Sequence, residues 1–281
     1  MNDIPNLEKI ATQVRRDVLR MVHGAKSGHP GGALGCTEFM VALYFNIMKH
    51  NNKDFSMEGK GENMFFLSNG HLSALWYSVL ARAGYFPVSE LATFRKLGSR
   101  LQGHPATAEG LPGIRVASGS LGQGISVAIG AALSKRIDAD KSIVYVLTGD
   151  GELNEGQVWE AAMYAAANKV DNLIVTVDYN GQQIDGPTDS VMPLGNLKDK
   201  WEAFGWDVVE MAGNDMQSVI NGLQLAGQKC FKAKPVVILM HTEMGYGVDF
   251  MKGKHQWHGV APSDEQLIQA LNQLPVTLSD Y

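Results

Sequence analysis

A chain of 281 residues, 45% hydrophobic and 19% charged, carries enough apolar material for a sizeable core and needs no second domain to account for its length. Its formal charge of -5 at pH 7, with no run of lysine and arginine, excludes the basic footprint of a nucleic-acid binder or a membrane-surface protein and leaves small molecules and proteins as partners. Two cysteines are too few for a disulfide framework, the start MNDIPNLEKI lacks a secretory pattern, and no apolar run approaches the roughly 20 residues of a membrane helix; a reduced, cytoplasmic, soluble setting is expected.

Leu7, Ile10, Val14, Val18 and Met21 recur at helical spacing and predict an amphipathic helix over 7–23 that stops at Gly24. Helices are also expected over 37–48, 72–83 and 125–137. The last two open behind glycine-containing segments, helix starts of a kind that can bind anions. From Ile143 the pattern changes: IVYVL, NLIVTVD, WDVVE and PVVILMH are short β-rich runs separated by helical stretches of about a dozen residues. Strands alternating with helices imply an α/β fold, a parallel sheet with helices on both faces. The unbroken apolarity of IVYVL and VVILM fits strands buried on both sides. SDEQLIQALNQL reads as a capped helix opening at Ser263. No repeat or Pro/Ser-rich linker divides the chain, so residues 1–281 are expected to form one domain.

The most informative stretch begins where IVYVL runs into GDGELNEG and a helix. This places Asp150 at the carboxyl edge of the sheet, where ligands of open α/β sheets bind. Thirty residues on, NLIVTVD ends in Tyr179, Asn180, Gly181 and Gln182, so Asn180 emerges at the same edge of the strand expected next door. A carboxylate and an amide oxygen converging there suit magnesium or calcium bridged to a diphosphate. Glycines on both sides of Asp150 let backbone approach phosphate, and the helix start near Asn154 and Glu155 adds a favourable dipole. An isolated GDG is more often an ordinary turn; the asparagine at this spacing gives it meaning.

Four histidine loops are rich in glycine: SGHPGG at His29, SNGHLSA at His71, QGHPA at His104, and KHQWHG at His255 and His258. One such loop is usually structural. Four together point to neutral imidazoles that polarise a carbonyl or carry protons near neutral pH.

GDG followed by DYN resembles the thiamine diphosphate signature. The segments GDGELNEGQVWEAA, QQIDGPTD, SGHPGGALG, LSNGHLSALWY, QGHP, SGSLGQG and HQWHG are similar to motifs of the transketolase family, over residues from about 10 to about 260. The resemblance implies a thiamine diphosphate-binding fold in which Asp150, Asn180 and the carbonyl of Gln182 ligate Mg2+, with Ca2+ or Mn2+ as substitutes. It implies that Gly151 and His255 meet the diphosphate, that His71, Asn180 and Glu155 also bind the cofactor, that Gly119, Leu121 and Gly122 lie beside the thiazolium ring and diphosphate, and that Glu155 lies near a subunit interface. His29, His71 and His104 would line the substrate channel, and His255 would also meet the reacting oxygens. His258 reads as structural, His23 and His50 as surface or core, and His241 as a strand-end residue. Ser120 stands where transketolases commonly show proline.

Thiamine chemistry also requires a carboxylate that activates the aminopyrimidine. In transketolases that glutamate belongs to a second, pyrimidine-binding domain, whereas this chain reaches Tyr281 without one. The sequence is then either a piece of a longer transketolase or, as expected here, the N-terminal subunit of a split transketolase, completed by a C-terminal subunit that supplies the glutamate, as an α2β2 heterotetramer. The implied reaction moves a two-carbon ketol unit from a ketose phosphate to an aldose; which sugars are used lies mostly in the other subunit. The alternatives are another thiamine class, of ketoacid dehydrogenase or deoxyxylulose phosphate synthase type, and a non-catalytic relative. A nucleotide-binding Rossmann module lacks its GxGxxG.

Overall fold

The computed structural model describes residues 3–281. Its strands are β1 (Met64–Leu67), β2 (Val144–Gly149), β3 (Leu173–Tyr179), β4 (Gln182–Gln183), β5 (Gly186–Pro187), β6 (Asp207–Ala212) and β7 (Val236–His241). Five of them form one parallel sheet in the order β1-β2-β3-β7-β6, while β4 and β5 pair as a small antiparallel hairpin. The helices are α1 (Ile4–Ala25), α2 (Pro30–Gly35), α3 (Thr37–Ala42), α4 (Ser73–Arg82), α5 (Gly124–Ile137), α6 (Gly156–Ala167), α7 (Thr188–Val191), α8 (Leu197–Ala203), α9 (Met216–Lys229) and α10 (Asp264–Gln273).

Because successive side chains of a strand point to opposite faces, the sheet feeds two separate cores. Phe65, Leu67, Tyr145, Leu147 and Ile174 join α1, α3, α4 and α9 on one side. Met64, Phe66, Val144, Val146 and Val175 join α5, α6 and α8 on the other. This is the expected parallel sheet with helices on both faces. The four predicted strands and the helices over 7–23, 72–83 and 125–137 are present with small shifts of boundary. Helix α1 runs past Gly24 because Lys26 adopts the left-handed conformation (φ 50°) and donates its N–H back to the His23 carbonyl. The helix expected over 37–48 is α3 followed by a π-helical turn, Leu43–Ile47. Strand β1 escaped the sequence reading: MFFL is only four residues, too short to display a period.

Helix α1 buries charges in pairs. Arg15 meets Glu38 at 2.6 Å, and Asp17 meets Arg82 at 2.8 Å. Residues 277–281 return to the same helix: Gln13 accepts from the Leu278 N–H (3.1 Å), and Arg16 meets Asp280 at 2.6 Å.

The register aligns the strand ends. Gly149 lies opposite Asp178, and Tyr179 and Ala212 lie opposite His241. Asp150 and Asn180 therefore leave neighbouring strands at one edge, as the two apolar runs predicted. Among the described residues no helix is long and apolar enough to cross a membrane.

Candidate active site at the carboxyl edge of the sheet

Asp150 opens a 3-10 turn, Gly151–Asn154, that leads into α6. Its carboxylate accepts the Gly151 N–H at 2.7 Å and the Gly181 N–H at 2.6 Å, and its own N–H donates to the Asp178 carbonyl at 3.1 Å. The turn after β2 is thus stitched to the end of β3. Asn180 donates its amide to Asp178 at 2.9 Å, while its Oδ1 accepts the Gln182 N–H at 2.8 Å.

Burial pushes the Asp150 carboxyl up to about 7, and the neighbouring Asp178 pushes in the same direction. Burial also raises Asp178, against the donors Thr242, Cys36 and Asn180. Among the described residues neither carboxylate has a cationic side chain paired with it. A buried carboxylate pair without a counter-charge is a costly arrangement unless a cation joins it. Asp178 was not singled out in the sequence, although a carboxylate that closes an otherwise apolar strand is a readable signal.

A third buried carboxylate, Glu152, also went unread. It accepts from the Ser68 hydroxyl, from the Gly122 N–H (2.8 Å) and from the Gly149 N–H (3.0 Å). The Gly124 N–H in turn donates to Ser68 Oγ at 3.1 Å. Glu152 therefore ties the end of β1, the glycine loop before α5 and the end of β2 to one point.

Between these elements lies a cavity of about 260 Å³. Asp150, Gly151, Asn180 and Gln182 line it, as do Leu121, Glu155, Asn69, His71 and His258. His29 packs beside them, with ring centroids 5.2 Å from His71, 5.7 Å from His258 and 6.0 Å from the exposed His104. His71 and His258 are 4.9 Å apart. Gly119 (φ 131°) closes against the cluster, and a Cβ there would come within 2.9 Å of the His104 ring.

Burial, reinforced by the proximity of His258, Arg95 and His104, lowers His29 to about 4. Burial likewise lowers His71, His104 and His258. Four neutral imidazoles at pH 7 result, able to accept or relay a proton.

His255 and His258 exchange the places expected of them. His258 joins the cluster, whereas His255 is half-exposed and is absent from the cavity wall. The reason is packing: Trp257 donates to the Phe250 carbonyl at 3.1 Å, its own carbonyl lies against Gly31, and Gly259 lies against His29, which turns residue 258 inward. The other histidines stand apart, His23 on Asp264, His50 on Tyr85 and His241 on Glu210.

Several buried polar atoms of the site have no partner in the protein: His29 Nδ1, His258 Nδ1, Ser118 Oγ, and both Oδ1 and Nδ2 of Asn69. Together with the uncompensated Asp150 and Asp178, they describe a polar site shaped for a charged ligand. A carboxylate, an amide oxygen and a backbone carbonyl beside a glycine-lined turn fit a divalent cation carrying a diphosphate.

Known proteins share this pattern. The family described as transketolase, thiamine diphosphate binding domain, matches residues 7–277. The chain is 38% identical to an apulose-4-phosphate transketolase subunit of Phocaeicola vulgatus, over 96% of this chain and 94% of that one. It is 37% identical to the 6-deoxy-6-sulfo-D-fructose transketolase subunit SqwG of Clostridium sp., over 96% of each. The crystal structure of transketolase from Campylobacter jejuni superposes with a TM-score of 0.89 at 32% identity, covering 97% of this chain and 43% of that one. The chain thus spans less than half of the full-length enzyme.

Proposed function

Since the chain belongs to the transketolase family, through its thiamine diphosphate binding domain, we propose that it is the cofactor-holding subunit of a two-subunit transketolase that moves a two-carbon ketol unit from a ketose phosphate to an aldose. The observation that carries this reading is the buried Asp150 and Asp178 pair, without a counter-charge, beside four neutral histidines.

Asp150, Asn180 and the Gln182 carbonyl would hold Mg2+, with Gly151 and His71 against the diphosphate and Gly119 and Leu121 beside the ring. Thiamine diphosphate, when bound, supplies the nucleophilic carbon. The chain's own part is then to orient substrate and handle protons. His29, His71, His104 and His258 hold substrate hydroxyl and carbonyl oxygens and accept or return their protons, a task for which lowered basicity keeps them neutral. His255, outside the cavity wall, serves the turn that presents His258.

Residues 1–281 constitute a single diphosphate-binding domain, and the aminopyrimidine-activating glutamate comes from a C-terminal partner subunit. That partner docks over α5 and α6, where Val127, Met163 and Tyr164 are 40%, 57% and 50% exposed, with the exposed Glu155 at the rim. Isologous pairing gives an α2β2 assembly in the cytoplasm.

The test is reconstitution. The chain, alone and with the subunit encoded beside it, is incubated with thiamine diphosphate, Mg2+ and ribose 5-phosphate. Xylulose 5-phosphate, apulose 4-phosphate or 6-deoxy-6-sulfofructose serves as donor. Product from the mixture alone supports the reading. Product from the chain alone removes the need for a partner, and none from any mixture removes the reaction.

A further inference from the structure

We propose that Asn69 is a direct ligand of the diphosphate, its side-chain amide donating to a phosphate oxygen; this deepens the reading above and rests on it. Asn69 is 1% exposed, lies in the cavity wall together with Asp150, Gly151 and Asn180, and has no partner on either Oδ1 or Nδ2. Among the described residues of the cavity wall it alone leaves both a donor and an acceptor unmet. Carboxamides buried in proteins are normally satisfied on both atoms, so one held unsatisfied at a cavity implies a ligand that completes it.

The surrounding chain keeps its backbone in place. Ser68, one residue before, is fixed by Glu152 and by the Gly124 N–H. The Gly70 N–H, one residue after, donates to the Ser68 carbonyl at 2.9 Å, and a Cβ on Gly70 would come within 2.7 Å of the Gly119 nitrogen. The Asn69 carbonyl accepts the Leu72 N–H at 3.0 Å, closing the turn into α4. The backbone is thus held on both sides of the unpartnered amide.

The rest of the lining decides the sign of the ligand atom. Asp150, Asn180 and Gln182 offer oxygens to a cation; Asn69, in the same lining, offers N–H to the anion that the cation carries. A donor at this position also discriminates: an anion gains from Asn, whereas a carboxylate in its place would repel it.

The full chain is titrated with Mg2+ and inorganic pyrophosphate by calorimetry, and again with thiamine diphosphate in the presence of the partner subunit. Asn69→Ala is expected to weaken both about tenfold and Asn69→Asp about a hundredfold, the aspartate being the worse although it is nearly isosteric. Near-UV circular dichroism and melting temperature check that each variant is folded; if the aspartate variant is not, the alanine variant decides. Wild-type affinity in both variants overturns the assignment, and tighter binding by Asn69→Asp overturns it in favour of a cation at that position. A wild-type chain that binds no pyrophosphate removes the diphosphate reading itself, and this assignment with it.

Discussion

Two sets of buried charge in this molecule are built on opposite principles. Under α1, every buried charge meets its opposite: Arg15 with Glu38, Arg82 with Asp17, Arg16 with Asp280. At the carboxyl edge of the sheet, Asp150, Asp178 and Glu152 are equally buried, yet all three are raised by desolvation and meet only neutral donors. The first set completes itself within the chain. The second has no counter-charge among the described residues. The lesson is that burial of charge does not mark a functional site; burial without a counter-charge does.

The comparison breaks most visibly by removing one partner from each set. Asp17→Ala strands the Arg82 guanidinium and the Ser78 hydroxyl, and should lower stability by about 3–5 kcal/mol. Cofactor affinity measured well below the melting point should not change; a chain that keeps its melting temperature would show that the pair is not structural. Asp150→Ala should act the opposite way, weakening Mg2+-dependent thiamine diphosphate binding more than about a hundredfold in the complex. Normal affinity would sink the ligand assignment. In the ligand-free chain at pH 8, Asp150→Asn should even raise stability, by roughly 1–2 kcal/mol, because a carboxyl raised to about 7 is held charged there at a cost.

The histidines sharpen the comparison further. His104→Ala, on an exposed ring, should leave the melting temperature unchanged and lower turnover of the reconstituted enzyme by about tenfold to a hundredfold. An unaltered rate would remove His104 from the substrate channel. The smallest effect is on acid stability. The folded value of His29, about 4, lies below its ordinary 6.5, so the unfolded chain binds more protons between those limits. The contribution is complete above pH 6.5 and is lost as pH falls toward 4. Because the ring is partly solvated, removing it in His29→Asn should change the melting temperature at pH 5 by no more than about 4 °C relative to its change at pH 7. An identical acid slope in the variant would show that other groups set it.

How far the sequence was legible follows the same division between local and distant causes. Apolar runs locate β2 and β3, and whatever follows two parallel neighbours must leave at one edge, so Asp150 and Asn180 could be brought together from spacing alone. Glu152 could not, because its meaning lies in Ser68, 84 residues away, and in the loop at Gly122. Nor could His258 be ranked above His255. The two stand three residues apart in one motif, and only the seating of residues 257–259 on the loop at His29 and Gly31 separates them. The four-residue β1 shows the same limit: its burial is imposed by β2 rather than by any pattern of its own.

The return of residues 277–281 onto α1 has a consequence for how the protein is made. Arg16 finds Asp280 across 264 residues of chain, and Gln13 finds Leu278 across 265. On a ribosome, α1 emerges early but keeps Arg16 without its carboxylate until residues 277–281 have followed. Completion of the fold is therefore a late event, and a nascent chain arrested before residue 277 should be cut readily by protease where a chain that extends through Tyr281 resists.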